Sequence, residues 1–104
     1  LKKLAEIICE NLRACDSFYR YGGEEFFILM PETSKKGAVS AANRLMEVIR
    51  AHNFNYDGQK INVTVSIGGA IYPDHSRDKI ELIRQADNAL YKAKRQGKDR
   101  FVLD

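Results

Sequence analysis

Leu1, Leu4, Ala5, Ile8 and Leu12 recur at the spacing of one helix face, which predicts an amphipathic helix over residues 1–14 with an uncapped start. Phe18-Tyr19-Arg20-Tyr21 reads as a strand. Gly22-Gly23 then predicts a two-residue hairpin turn, because both central positions of a type I′ turn take positive φ. Residues 26–30 are continuously apolar, the pattern of a strand buried on both faces. Pro31 ends that strand, and Thr33 or Ser34 can cap the helix that follows. Ala38, Ala42, Leu45, Met46 and Ile49 form its apolar stripe, so the second helix is expected over 34–51. Asp57-Gly58 marks a turn after a short strand. Ile61, Val63, Val65 and Ile67 alternate with Asn62, Thr64, Ser66 and Gly68, as in a strand with one apolar face. Tyr72-Pro73-Asp74-His75-Ser76 reads as a loop. Ile80, Ile83, Ala86, Leu90 and Ala93 predict a third helix, Gly97 is placed to end it, and Phe101-Val102-Leu103 reads as a last strand.

The predicted order is α-β-β-α-β-β-α-β. It implies an α+β fold with a mostly antiparallel sheet flanked by helices, in one domain spanning 1–104. Composition agrees: 44% apolar and 30% charged residues in 104 can bury one core. No apolar run approaches the roughly 20 residues that span a bilayer, and the start has no signal-peptide core. The chain does not begin with Met, so it is expected to be a piece of a longer protein.

Cys9 and Cys15 lie six residues apart on or near one helix, on different sides of it, so a disulfide between them is not expected and a reducing cytoplasm fits. Both are expected in or near the core, as are Tyr19, Tyr21, Phe26 and Phe27. His52 is expected to be structural and His75 solvated; the pair lacks metal-ligand spacing. The net charge of +3 is modest, with its surplus late in the chain at Lys92, Lys94, Arg95, Lys98 and Arg100. That cluster is a solvated helix face or a phosphate-binding group. No aromatic residues are interleaved as stacking platforms, which argues against polymeric nucleic acid.

Gly22-Gly23-Glu24-Glu25-Phe26 carries the most chemistry. The glycines let a phosphorylated ligand approach the backbone, and paired carboxylates at a strand–turn junction suit a hard cation such as magnesium. An ordinary hairpin turn with solvated acids would use the same residues. Arg13-Ala14-Cys15-Asp16 reads by itself as an i,i+3 pair at a helix end.

Three segments settle between these readings. Tyr19-Arg20-Tyr21-Gly22-Gly23-Glu24-Glu25-Phe26, Val63-Thr64-Val65-Ser66-Ile67-Gly68-Gly69-Ala70, and Ala86-Asp87-Asn88-Ala89-Leu90-Tyr91-Lys92-Ala93-Lys94 with Gly97 resemble, in order and spacing, the GGDEF-family diguanylate cyclases in their GGEEF form. The resemblance covers essentially the whole chain. It implies a palm-like nucleotidyl cyclase fold and the joining of two GTP molecules into cyclic di-GMP and pyrophosphate across a homodimer. It implies magnesium or manganese as cofactor. Glu24 is then the catalytic base or metal-linked activator, and Glu25 a metal ligand. Gly22 and Gly23 lie against the nucleotide, and Lys94 and Lys98 bind its triphosphate. Lys98 stands where the family usually has Arg, which keeps the charge and loses the bidentate fork. Arg13 and Asp16, completed by Arg44, resemble the family's inhibitory site for cyclic di-GMP.

A complete domain of this family extends further at its N-terminus, with a first central strand, another metal-binding Asp and guanine-reading residues. The chain is therefore expected to lack that strand, to make no cyclic di-GMP alone, and to aggregate, swap strands or dimerise. A cyclic di-GMP receptor and a nucleotidyl cyclase of other base specificity are the competing functions. The location implied is cytosolic, with membrane attachment only through a domain upstream.

Overall fold

The structure is a computed structural model that describes residues 2–22 and 25–103, with the backbone alone for Tyr21 and Gly22. α1 (Lys2–Glu10) turns Ile7 and Ile8 into the core. It stops short of the expected residue 14. The Asn11 side-chain amide donates to Ile7 O at 2.8 Å, and the N–H groups of Asn11 and Leu12 tighten onto Ile8 O and Cys9 O, three residues back. Leu12 still packs on the core, which is why its spacing read as helix.

β1 (Ser17–Gly22) and β2 (Glu25–Leu29) form an antiparallel hairpin in which Gly22 pairs with Glu25, after a register shift between Arg20 and Gly22. Gly22 thus belongs to the strand and not to the turn; Gly23 and Glu24 lie outside the described residues. Phe18 and Phe26 stack at 5.1 Å between ring centroids, and with Ile28 they pack on the core. On the opposite face Tyr19 is 52% and Leu29 48% exposed, while Phe27 is partly buried. The 26–30 run is therefore an antiparallel strand with one face packed on the core and the other only partly covered, and Tyr19 is a surface residue. An apolar run alone does not distinguish the two arrangements.

α2 (Lys35–Ala51) is capped by Ser34, whose hydroxyl accepts from Gly37 N at 3.2 Å. It buries Ala41, Ala42, Leu45, Met46 and Ile49. Ile7, Ile8, Leu45 and Ile49 make the central cluster, with Phe54, Val63 and Val65 packed against it. β3 (Phe54–Tyr56) and β4 (Gln59–Ile61) form a hairpin whose turn, Asp57 at φ 51° and Gly58 at φ 78°, is the one the Asp-Gly pair predicts.

The long strand expected from Ile61 to Gly68 divides. β4 ends at Ile61, residues 62–66 lie in no strand, and β5 (Ile67–Gly69) resumes the extended pattern. Val63 and Val65 keep the alternation because they cover the core, not because they sit in a ladder. β5 runs parallel to β6 (Phe101–Leu103), with α3 (Lys79–Arg95) as the crossover that parallel strands require. Among the described residues the strands form three two-stranded pairs, two antiparallel and one parallel, so antiparallel pairing predominates in the α+β fold as expected, although the pairs do not join into one sheet.

Asp78 caps α3 by accepting from Glu81 N, and Ala89 and Ala93 are wholly buried beneath it. α3 ends in a Schellman turn: Lys98 N donates to Ala93 O at 3.0 Å and Gly97 N to Lys94 O at 3.5 Å, with Gly97 at φ 116°. The 72–76 loop is closed on itself. Ile71 N donates to His75 Nδ1 and His75 N donates to Ile71 O, each at 2.8 Å, so His75 is a structural residue, contrary to its expected solvation.

Candidate functional site

The fold brings the β1–β2 hairpin against the last turns of α3. Lys94 Nζ lies 4.0 Å from Glu25 Oε2, with both side chains about half exposed (47% and 48%). The ion pair is long and open to solvent, so it adds little stability. It does put a cation and a hard carboxylate from opposite ends of the chain beside one patch of surface. Lys98, on the turn that ends α3, is exposed and takes no part in this pair.

Among the described residues, no three His, Cys, Asp or Glu side chains converge as a metal site. Glu25 offers one exposed carboxylate at this patch. Magnesium binds proteins through one or two carboxylates and completes its shell with water and substrate phosphates, so Glu25 fits as a single ligand. Glu24 and Gly23 lie outside the described residues.

A second cluster forms where α1 gives way to β1. Arg13 clasps Asp16 through its backbone N–H (2.8 Å to Oδ2) and its guanidinium (2.8 Å from the terminal nitrogen to Oδ1). The same guanidinium donates to Pro31 O at 2.8 Å and to Thr33 Oγ1 at 2.7 Å. The Asp16 side chain is fully covered, whereas Arg13 is 46% exposed. Arg44 reaches across from α2 to Asn11 O at 2.9 Å. Arg13, Glu32, Thr33 and Arg44 line a shallow cavity of about 280 Å³. Arg13 and Asp16 are therefore joined directly, with the Arg44 charge nearby. Pro31, Glu32 and Thr33 join them without any signal in the sequence beyond a proline, because their contribution is a carbonyl, a hydroxyl and a left-handed turn at Glu32 (φ 49°).

Hydrogen bonding from Arg13 holds the Asp16 carboxyl below the usual carboxylate range, partial desolvation opposes this, and the Arg44 charge adds to the lowering. Because Asp16 titrates lower when folded than unfolded, its pair contributes stability above the unfolded value of about 4 and loses it as pH falls through the folded value. A carboxyl-carbon NMR titration is expected to give Asp16 a lower midpoint in the unsubstituted protein than in Arg13→Ala. Equal midpoints in the two proteins would mean that the clasp does not hold in solution.

Cys9 and Cys15 are both exposed free thiols rather than core residues, and the Cys15 sulfur lies 3.9 Å from Asp16 Oδ1. Cys9 lies within α1 away from the Ile7 and Ile8 side chains that it buries, and Cys15 lies beyond the early end of that helix.

The three helices and the carboxylate-bearing hairpin are those of a nucleotidyl cyclase palm of the GGDEF type. A family model described as diguanylate cyclase, GGDEF domain, matches residues 1–100, and the chain belongs to that family. Diguanylate cyclase A of Treponema denticola is 38% identical over 103 residues, covering 99% of this chain and 28% of that protein. The GGDEF domain of PA1120 (YfiN or TpbB) from Pseudomonas aeruginosa superposes with a TM-score of 0.88 at 34% identity, covering 97% of this chain and 63% of that one. The GGDEF domain of DgcB from Caulobacter crescentus, in complex with c-di-GMP, superposes at 0.84 with 25% identity, covering 96% and 60%. The chain spans 28% or less of the length of the curated relatives it matches first. Among the described residues, no helix is long and apolar enough to cross a membrane.

Proposed function

We propose that this domain condenses two GTP molecules into cyclic di-GMP, and that the approach of Lys94 to Glu25 marks the substrate site. Each GTP 3′-hydroxyl attacks the α-phosphate of the other, a P–O bond forms, and pyrophosphate leaves with the electron pair of the broken bond. The work of the site is positioning and charge compensation. Lys94 and Lys98 bind the triphosphate as point charges, and Gly22 and Gly23 let the nucleotide approach the hairpin backbone. Glu24 accepts the hydroxyl proton or orients the hydroxyl. Glu25 holds magnesium or manganese, which when bound neutralises charge on the phosphates. Two copies face each other, since each GTP supplies one nucleophile. GTP supply places the domain in the cytosol.

Arg13, Asp16 and Arg44 form the product site in this reading. A guanidinium fork suits phosphate and the guanine edge, and the neighbouring cavity leaves room for part of a nucleotide. A receptor that binds cyclic di-GMP at the same place is the second reading, favoured by Arg13 and Arg44 lining that cavity while Asp16 holds Arg13 from beneath.

Two measurements separate the readings. Incubation of the full-length protein with GTP and magnesium is expected to yield cyclic di-GMP and pyrophosphate. Calorimetric titration with cyclic di-GMP is expected to show binding that weakens at least tenfold in Arg13→Ala, about the value of one charged hydrogen-bond set. Binding without synthesis would select the receptor. Synthesis with binding indifferent to Arg13 would remove the product site from the proposal.

A further inference from the structure

The turn after α3 holds three consecutive residues in the left-handed region: Gly97 (φ 116°), Lys98 (φ 63°) and Asp99 (φ 48°). Glycine takes this conformation freely, whereas Lys and Asp take it at a cost and persist there only when their surroundings fix them. The fixing contacts come from two sides. Arg100 Nε donates to Lys98 O at 3.1 Å from within the turn. From α2, at the far side of the sequence, Arg50 Nε donates to Asp99 Oδ1 at 2.8 Å and the Arg50 terminal nitrogen donates to Asp99 O at 3.2 Å.

The Arg50 contact is two-pronged, to the side chain and to the main chain of one residue. Its side chains are 43% and 39% exposed, so as an ion pair it contributes little to global stability. What it does fix is backbone geometry, since the second prong grips the carbonyl that follows Lys98 Cα by one residue. The Lys98 amide is fastened to Ala93 O, and Ala93 adjoins Lys94, the lysine beside Glu25. The direction in which Lys98 leaves α3 therefore depends on a clamp anchored on another helix.

We propose that Arg50 is a positioning residue: through Asp99 it holds the left-handed turn that presents Lys98 beside Lys94, so that both ammonium groups reach one polyphosphate. This rests on the reading of Lys94 and Lys98 as triphosphate ligands. Lys98 needs such help more than an arginine would. An ammonium on a flexible stem has no planar fork to orient it, so placement of its backbone carries more of the specificity.

The test is calorimetric titration of the full-length protein with a non-hydrolysable GTP analogue and, separately, with cyclic di-GMP. Arg50→Ala is expected to weaken the GTP analogue about fivefold to tenfold and to leave cyclic di-GMP affinity within about twofold, as for loss of one positioned charge contact. In a Lys98→Ala background the same substitution is expected to add nothing further. Asp99→Asn keeps a side-chain acceptor and tolerates the left-handed backbone, so it preserves the fold and is expected to lose less than Arg50→Ala. Arg50→Lys, with one prong, should fall between them. Equal losses from Arg50→Ala with and without Lys98, or a parallel loss of cyclic di-GMP binding, would show a general structural role and overturn the proposal. An unsubstituted protein that binds cyclic di-GMP but not the GTP analogue would instead remove the triphosphate site itself, and the inference with it.

Discussion

Glu25→Gln in the full-length protein is expected to lower cyclic di-GMP formation about a thousandfold, the range seen when a charged group that stabilises a transition state is neutralised. Glutamine has nearly the same shape but carries no charge, so it neither holds a hard cation nor balances Lys94 across the 4.0 Å gap. The fold should survive. Glu25 pairs as backbone at the start of β2, its side chain is half exposed, and its only ion-pair distance given by the structure is a long one. Cyclic di-GMP binding at the proposed Arg13, Asp16 and Arg44 site is accordingly expected to stay within about twofold, since their hydrogen bonds run to one another, to Asn11, Pro31 and Thr33 and not to β2. Retention of more than a tenth of the activity would reduce Glu25 to a surface acid.

The second large effect concerns stability. At Gly68 the backbone of α3 rests directly on β5. A Cβ there would stand 2.1 Å from Leu90 N, 2.5 Å from Ala86 O and 2.6 Å from Leu90 Cα. All three atoms are backbone, so no rotamer change relieves the clash and the helix must move. Gly68→Ala is expected to cost about 4 kcal/mol or more, a large part of the ~5–15 kcal/mol that stabilises a domain. Gly69→Ala is the control one residue away. Its Cβ would meet Leu103 Cδ2 at 2.9 Å and Phe101 ring atoms from 3.2 Å, side chains that can shift, so about 1–2 kcal/mol is expected. Urea denaturation of the three proteins measures both. Similar midpoints for Gly68→Ala and the unsubstituted chain would mean that α3 does not sit on β5 as described.

Gly68 also shows what the sequence could and could not disclose. It stood in a position that alternation assigned to the polar face of a strand, and its actual role is to let a helix touch a sheet, which alternation does not encode. The helices were legible because their apolar stripes repeat over several turns, and Ser34, one of two cap candidates, caps α2; the Asp78 cap of α3 was not read, and Ile80, counted in that stripe, is exposed. The strands were less so. Val63 and Val65 alternate with polar neighbours in an element that has no ladder, since one-sided burial is enough to produce the pattern. The parallel pairing of β5 with β6 follows from the crossover by α3 and not from any local residue. Of the candidate site, Lys94, Glu25, Arg13, Asp16 and Arg44 were named through resemblance to a family; the fold sets Lys94 near Glu25 and Arg13 on Asp16. Arg50 and Asp99 were invisible, because a contact between residues far apart in sequence leaves no period in either segment.

The separation between Glu25 and Lys94 has a kinetic side. Most of the chain lies between them, including α2, the β3–β4 hairpin, β5 and nearly all of α3. Such a non-local pair forms late in folding, since the entropy of closing the intervening chain is lost before the contact repays it. A nascent chain still short of α3 would have its early hairpin but no competence to capture a nucleotide. On the proposed reading of the pair as a nucleotide site, capture would report that folding has run to completion, and a ligand that binds only the finished state would shift the folding equilibrium towards it.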